Sequence, residues 1–102
     1  MEDIELGGNI RLAGFHDLDA SEMIVVKKMI GQYASKFRQK RTIIEISLTL
    51  KSVHKQGDNE KHEVHAKLKT EEDSKSHAAE FTDKNLYVAI DSVLKKLENM
   101  LH

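Results

Sequence analysis

The sequence contains no cysteine and no proline among its 102 residues, and these absences exclude several kinds of structure and chemistry. Without cysteine the chain can form neither a disulfide framework nor a thiolate zinc site, and it has no cysteine nucleophile. Without proline, no residue of this kind interrupts a helix or a strand. Since 39% of the residues are hydrophobic and 32% are charged, the fold must be stabilised by packing of a core beneath a well-solvated surface.

The sequence also has no long hydrophobic run and no basic leader. No apolar stretch approaches the roughly 20 residues that are needed to span a bilayer. The acidic start Met1-Glu2-Asp3 lacks the basic and then apolar order of a signal peptide. We therefore expect a cytoplasmic protein that has no membrane partner.

Signatures of catalysis and of cofactor binding are equally scarce. Gly7-Gly8 is followed by strand residues and not by a helix, and the chain has no Gly-Lys-Ser/Thr motif for binding phosphate. His62 and His65 are an odd number of positions apart in a predicted strand, so their side chains point to opposite faces and cannot share a metal ion without a bulge. The sequence predicts no enzymatic activity, no cofactor, no small-molecule substrate and no metal site.

The length predicts a single domain over residues 1–102, in which residues 1–8 form a flexible N-terminal tail. Alternating residues predict a first strand at Asn9–Phe15, which ends at a glycine turn. Asp19 and Glu22 form a capping box that starts a helix, and this helix ends near Gln39. The apolar side of the helix is formed, at steps of three and four residues, by Met23, Val26, Ile30, Tyr33 and Phe37.

The second half of the chain changes from helical to strand periodicity. Period-two alternation predicts a strand whose buried side carries Ile44, Ile46, Leu48 and Leu50. A turn at Lys55–Asn59 leads to a second strand with Val64, Ala66 and Leu68 on its apolar side. A weaker strand at Ser76–Phe81 follows, and Asp83 is expected to cap a final helix with an apolar stripe of Leu86, Ile90, Val93, Leu97 and Leu101. The predicted fold is α+β, in the order β-α-β-β-β-α, with two helices packed on one face of a four-stranded sheet.

The net charge of −1 hides an uneven distribution of charged residues. Residues 1–22 hold six acids and a single base, Arg11. Residues 23–44 hold no acid and six bases: Lys27, Lys28, Lys36, Arg38, Lys40 and Arg41. A local basic field of this kind can dock phosphate even on a neutral protein, although a solvated helix face explains it about as well.

The final predicted helix carries the most recognisable pattern. Its sequence reads Asn85-Leu86-Tyr87-Val88-Ala89-Ile90-Asp91-Ser92-Val93-Leu94-Lys95-Lys96-Leu97-Glu98-Asn99-Met100-Leu101. At Tyr87, Ala89, Ile90, Asp91, Lys96 and Leu97 it resembles the helix that closes the ribosome hibernation-promoting factors, also called ribosome-associated translation inhibitors. His77-Ala78-Ala79 resembles the fourth strand of that family, and the predicted order of elements is the family's own order. The resemblance extends over nearly the whole chain from Asn9.

This resemblance implies a protein that binds the small ribosomal subunit along the mRNA channel, where tRNAs would sit, and so silences idle ribosomes. The partner would be rRNA, and no reaction would be catalysed. The 102-residue length implies the short type of the family, without a separate C-terminal dimerisation domain. The residues expected to bind rRNA are the bases on and after the first helix and those at the second: Lys27, Lys28, Lys36, Arg38, Lys40, Arg41, Lys84, Lys95 and Lys96.

Two other binding functions stay open. Members of the family commonly carry more bases late in the last helix and in an extension after it, whereas Asn99 stands here where an arginine is frequent and the chain stops at His102. Together with the acidic first segment, this departure allows a divergent member that acts as a protein-protein interaction module. A double-stranded RNA-binding domain shares an α-β-β-β-α core, but its glycine and its Lys-Lys-rich start of the second helix are absent.

Overall fold

Five strands and two helices make up the residues that the computed structural model describes, which are 3–5, 9–54 and 60–101. In chain order they are β1 (Asp3–Glu5), β2 (Ile10–Ala13), α1 (Ala20–Lys40), β3 (Ile43–His54), β4 (Glu60–Thr70), β5 (His77–Asp83) and α2 (Leu86–Met100). The strands form one sheet in the order β1-β2-β3-β4-β5. Only the pairing of β2 with β3 is parallel among these neighbours, and α1 makes the crossover between the two strands.

The predicted α+β fold and its element order are confirmed by β2 to β5 and the two helices. The sheet gains a fifth strand, β1, which the sequence analysis missed and placed in a flexible tail. Ile4 pairs there with Leu12 in an antiparallel register. A strand of three residues is too short to show an alternating pattern, and for this reason periodicity could not predict it. The predicted turn at Lys55–Asn59 lies outside the described residues.

Helix α1 begins as its sequence predicts. The Asp19 carboxylate accepts a hydrogen bond from the backbone N–H of Glu22 at 2.8 Å, and the Glu22 side chain accepts one from the Asp19 N–H at 3.0 Å. These two bonds satisfy backbone donors that have no partner within the helix. The predicted stripe is buried against the sheet at Val26, Ile30, Tyr33 and Phe37, while Met23 is partly buried at the edge of the core.

A glycine turn fixes the path from β2 to α1. Gly14 has a φ of +81°, and a Cβ atom at this position would lie 2.3 Å from the backbone oxygen of Leu50. Both the backbone conformation and the close approach of β3 therefore require glycine. The neighbouring Phe15 is buried, so the turn also directs a large aromatic side chain into the core.

The apolar face of the sheet is built by paired residues of β3 and β4. Ile46 pairs with Leu68, Leu48 with Ala66 and Leu50 with Val64, and all six side chains are buried. The prediction that Ile44 belongs to this set is wrong, because its side chain is 45% exposed and Ile43 is buried in its place. The register shifts between Ile43 and Glu45, and such an irregularity breaks strict alternation.

The two helices lie side by side on this apolar face. Helix α1 packs on β3, and α2 packs on β4 and β5. The predicted stripe of α2 is buried throughout, including Leu101 just after the last helical residue. None of the described helices is long and apolar enough to cross a membrane.

The predicted cap of α2 is wrong by two residues. Asp83 ends β5, and its carboxylate accepts a hydrogen bond from the Asn85 N–H at 2.8 Å. The N-cap is Asn85, whose Oδ1 accepts hydrogen bonds from the N–H groups of Tyr87 and Val88. Asp and Asn are both favoured N-caps, so the choice between them depends on where β5 ends.

Ile90 tests the docking of α2 on the sheet. Its side chain is fully buried in the core, so Ile90→Ala should lower the free energy of unfolding by about 2–5 kcal/mol. Urea melts of the parent and the variant measure this difference. A loss below about half a kcal/mol would show that α2 is not docked through this residue.

A substitution of Gly31 tests whether any contact in the fold requires glycine in the middle of α1. It is exposed in the middle of the helix, and a Cβ atom built there meets no atom within 4 Å. Because nothing in the fold requires glycine here, Gly31→Ala should raise the free energy of unfolding by about 1 kcal/mol. Thermal and urea melts read out the change. An unchanged or lowered stability would contradict the open surroundings of this position.

Candidate nucleic-acid interface

The outer surface of α1 carries most of the exposed bases that the sequence singled out. Lys27, Lys28, Lys36, Arg38 and Lys40 are all exposed on this helix. The only acid of α1 is Glu22 in its first turn, where it belongs to the capping box. The rest of the helix therefore presents positive charge with no acid of its own to offset it.

Helix α2 and the segment just before it add three further bases to the helical layer. Lys95 and Lys96 are exposed on the helix, and Lys84 is exposed just before it. Lys96 is held locally, because its Nζ donates a hydrogen bond to the Glu80 carbonyl at 3.1 Å and lies 5.2 Å from the centre of the Phe81 ring. Such contacts restrict where the ammonium group can point.

A hydrogen bond between Tyr33 and Asp91 joins the two helices. The Tyr33 hydroxyl donates to Asp91 Oδ1 at 2.8 Å. Burial, together with this hydrogen bond to the carboxylate, raises the pKa of Tyr33 to about 12. The phenol is therefore protonated at neutral pH and can act as the donor. Asp91, a residue of the recognisable pattern in α2, thus has a structural partner in α1.

Lys36 and Lys95 lie on the same side of this hydrogen bond along the two helices. Helix α1 returns from the end of β2 to the start of the parallel strand β3, and α2 follows β5, which runs in the same direction as β3. Both helices therefore run antiparallel to β3. Lys36 follows Tyr33, and Lys95 follows Asp91, by one helical turn. Lys36 Nζ also lies 4.9 Å from the centre of the Tyr33 ring.

Arg41 differs from the other candidate bases because its side chain is mostly buried and forms an ion pair with an acid of the fold. It caps the C-terminus of α1, and its side chain is only 17% exposed. Its Nε donates to Asp73 Oδ2 at 3.1 Å, in the turn between β4 and β5. Arg41 therefore connects the end of α1 to the sheet. Its predicted contact with rRNA stays a prediction.

Asp73 is the centre of the polar network that receives Arg41. Its Oδ2 accepts hydrogen bonds from the buried hydroxyl of Thr70 at 2.8 Å and from His77 Nε2 at 2.9 Å. These bonds, with His77 contributing most and the Arg41 guanidinium adding to them, lower the pKa of Asp73 to about 2. The carboxylate is therefore charged over the whole neutral and mildly acidic range.

The opposite face of the sheet has a different character, because bases and acids alternate on it. The outward residues include the bases Arg11, Lys51, Lys67 and Lys69 and the acids Glu45, Glu63 and Glu80. Arg11 and Glu45 approach to 3.7 Å. The sequence analysis treated this face as merely polar and did not include its bases among the candidates. Their alternation with core residues would have identified them as outward-facing.

Solved structures with the same fold include one from Coxiella burnetii and one from Thermus thermophilus. A ribosomal subunit interface protein from Coxiella burnetii superposes with a TM-score of 0.65 at 18% identity, covering 91% of this chain and 90% of that one. The N-terminal domain of Protein Y from Thermus thermophilus superposes with a TM-score of 0.58 at 14% identity, covering 90% of each chain. At these identities the likeness shows the fold. No curated protein sequence matches the chain.

The family is shown by the sequence itself. The family model described as sigma 54 modulation protein / S30EA ribosomal protein matches residues 14–102. The chain therefore belongs to this family. The resemblance to ribosome hibernation-promoting factors, drawn from α2 and from the element order, is confirmed at the level of the family.

The network around Asp73 predicts how stability depends on pH. A carboxylate whose pKa falls from 3.8 unfolded to about 2 folded stabilises the fold above the unfolded value, and this contribution is lost as pH falls through the folded value. Asp73→Asn should therefore be less stable than the parent at neutral pH. The difference should shrink between about pH 5 and pH 2. Urea melts of both proteins across this range measure it, and a constant difference would contradict the assignment.

Proposed function

We propose that this protein binds the small ribosomal subunit in the mRNA and tRNA channel and silences translation in idle ribosomes of the cytoplasm. The observation that carries the proposal is the exposed basic surface of the helical layer. The chain's family, whose description names a ribosomal protein, supports the same partner. This surface, here called the helical basic surface, consists of Lys27, Lys28, Lys36, Arg38, Lys40, Lys84, Lys95 and Lys96. Its partner would be the phosphate backbone of rRNA.

Charge distribution supports rRNA as the partner despite the net charge of −1. Phosphate contacts are made by individual lysines and arginines, so the local density of bases decides binding more than the total charge does. Lys27, Lys28, Arg38 and Lys95 form no ion pair with any residue in 9–54 or 60–101, and their charges are available to a partner. Each contact of a lysine or arginine with a phosphate releases a counterion, and binding therefore becomes more sensitive to salt.

The position in the channel is supported by resemblance and by one of the solved structures. The α2 pattern resembles the helix of hibernation-promoting factors, which occupy the path of mRNA and tRNA. The Coxiella burnetii protein is described as a ribosomal subunit interface protein. A protein seated there would compete with tRNA and mRNA for the same site. Silencing would follow from occupancy alone, without a catalytic residue.

A protein-protein interaction module is the second candidate function. The uncovered sheet face favours it, because this face forms a concavity of about 580 Å³ lined by residues that include Ser47, Thr49 and Ala78. Its lining combines small side chains with charged ones, and these could accept a peptide or a loop of another protein. The two candidates place the partner on opposite sides of the sheet, and charge reversal can therefore separate them.

Charge reversal on the helical basic surface should abolish binding to the small subunit. The variant Lys28→Glu, Arg38→Glu, Lys95→Glu changes three exposed residues that lie off the buried stripes. Stability should change little, since exposed substitutions usually cost less than about 0.5 kcal/mol each. Cosedimentation with purified small subunits at low salt measures binding. Circular dichroism checks that the fold is intact.

The matched control moves the same change of charge to the other face. The variant Lys51→Glu, Lys67→Glu, Lys69→Glu also reverses three exposed lysines, all on the outward side of β3 and β4. It should cosediment as well as the parent does. If the helical variant bound the small subunit as well as the parent does, and the sheet variant no longer bound, the sheet face would be the binding surface instead. Absence of binding by the parent at low salt would overturn the ribosomal proposal.

Binding by the parent should also fall steeply as salt rises. Each phosphate contact contributes about −0.7 to −0.9 to the slope of log affinity against log salt. A single reversal, Lys28→Glu, should therefore flatten the slope by roughly one unit while leaving the fold unchanged. Filter binding or cosedimentation across a potassium chloride series measures the slope. An affinity that does not depend on salt would contradict a phosphate-based interface.

A further inference from the structure

A histidine and two glutamates converge on the outward side of β4 and β5. Glu63 and His65 are two positions apart on β4, so they point to the same face, and Glu80 pairs directly with His65 across β5. His65 Nε2 contacts a carboxylate oxygen of Glu63, and His65 Nδ1 lies 3.3 Å from Glu80 Oε2. One ligand atom from each residue lies within 4.8 Å of the other two.

We propose that Glu63, His65 and Glu80 form a binding site for a divalent transition-metal ion of the Zn²⁺ class. One imidazole nitrogen and two carboxylate oxygens are a donor set that suits Zn²⁺ and similar ions, which bind such atoms at about 2.0–2.2 Å. The histidine disfavours Mg²⁺ and Ca²⁺, since these ions prefer oxygen ligands alone. In the structure Glu63 lies at Nε2 of the imidazole and Glu80 at Nδ1, so an ion bound at one of these nitrogens requires the carboxylate at the other to turn towards it by side-chain rotation.

The charges around the histidine favour a cation. Within the described part of the chain, neither Glu63 nor Glu80 forms an ion pair with a lysine or an arginine. Lys51 pairs with Glu63 in the backbone register, yet it makes no ion pair with that carboxylate. Both carboxylates therefore contact the same imidazole, and no lysine or arginine pairs with either of them within these residues. A divalent cation would supply charge to both of them at once.

The surrounding sheet holds the donors and leaves room for further ligands. All three residues stand on paired strands, whose register fixes their spacing more firmly than a loop would. Thr49 is the cross-strand neighbour of His65 on β3, and Ala78 lies on β5 two positions before Glu80. Because these side chains are short, water molecules could complete a four-coordinate ion from the open side of the concavity.

This proposal departs from the expectation that the protein has no metal site, which was argued from the spacing of His62 and His65 along one strand. His62 lies on the side of β4 that carries Val64, opposite to His65, and takes no part in the cluster. Spacing within one strand could not bring Glu80 next to His65. Only the pairing of β4 with β5 does so. The proposed site is independent of ribosome binding, because it lies on the other face of the sheet from the helices.

Isothermal titration calorimetry of the full chain with zinc chloride at neutral pH tests the site. We expect one Zn²⁺ per chain and a rise in melting temperature on addition of Zn²⁺, since the ion binds the folded form. Both His65→Ala and Glu80→Gln should weaken the affinity by about tenfold or more. Magnesium chloride, titrated in the same way, should bind at least about tenfold more weakly than Zn²⁺.

His16→Ala is the matched control. His16 is also an exposed histidine beside an acid, since its Nε2 lies 3.5 Å from Asp17 Oδ1, but it has no second carboxylate partner among the described residues. This variant should keep the parent's affinity for Zn²⁺. Equal binding by His65→Ala, Glu80→Gln and the parent would show adventitious surface binding and overturn the site. No heat of binding and no shift of melting temperature for the parent at about 1 mM Zn²⁺ would overturn it as well. If His65→Ala fails to fold by circular dichroism, Glu80→Gln, whose side chain is 70% exposed, decides the matter alone.

Discussion

The sheet has a single apolar face, and this constraint decides where both helices must lie. Paired residues such as Ile46 and Leu68 form that face, and the stripes of α1 and α2 can be buried only against it. The helices therefore lie side by side, joined by the hydrogen bond from Tyr33 to Asp91. Bases from two distant parts of the sequence are brought onto the same helical layer as a result. Within residues 3–5, 9–54 and 60–101 no element covers the opposite face, where bases and acids are mixed.

Most of the fold could be predicted because burial imposes periodicity on the sequence. The spacing in α1 and α2 and the alternation in β3 and β4 identified most of the buried core residues. Prediction failed where local geometry departs from a regular period. The irregularity between Ile43 and Glu45 exposes Ile44, and the extension of β5 to Asp83 moves the cap of α2 to Asn85. Both the exposure of Ile44 and the position of the α2 cap depend on how the strands pair. The residue pattern of one strand carries no information about that pairing.

The candidate site was predictable in its composition but not in its arrangement. Exposure of Lys28 and Lys95 follows from their positions opposite the buried stripes, and both are exposed in the structure. The engagement of Arg41 with Asp73, by contrast, joins residues 32 positions apart in sequence. The cluster of Glu63, His65 and Glu80 likewise depends on the register between two strands. Contacts between elements of this kind require the tertiary structure.

The central claim is that the helical layer, and not the bare sheet, faces the ribosome. Lysine acetylation of the protein, free and bound to small ribosomal subunits, followed by mass spectrometry, tests this claim most directly. Lys51, Lys67 and Lys69 on the sheet serve as internal controls, because they are exposed on the opposite face. We expect binding to protect Lys27, Lys28 and Lys95 and to leave the three sheet lysines as reactive as before. Protection of the sheet lysines, with unchanged reactivity on the helices, would contradict the account.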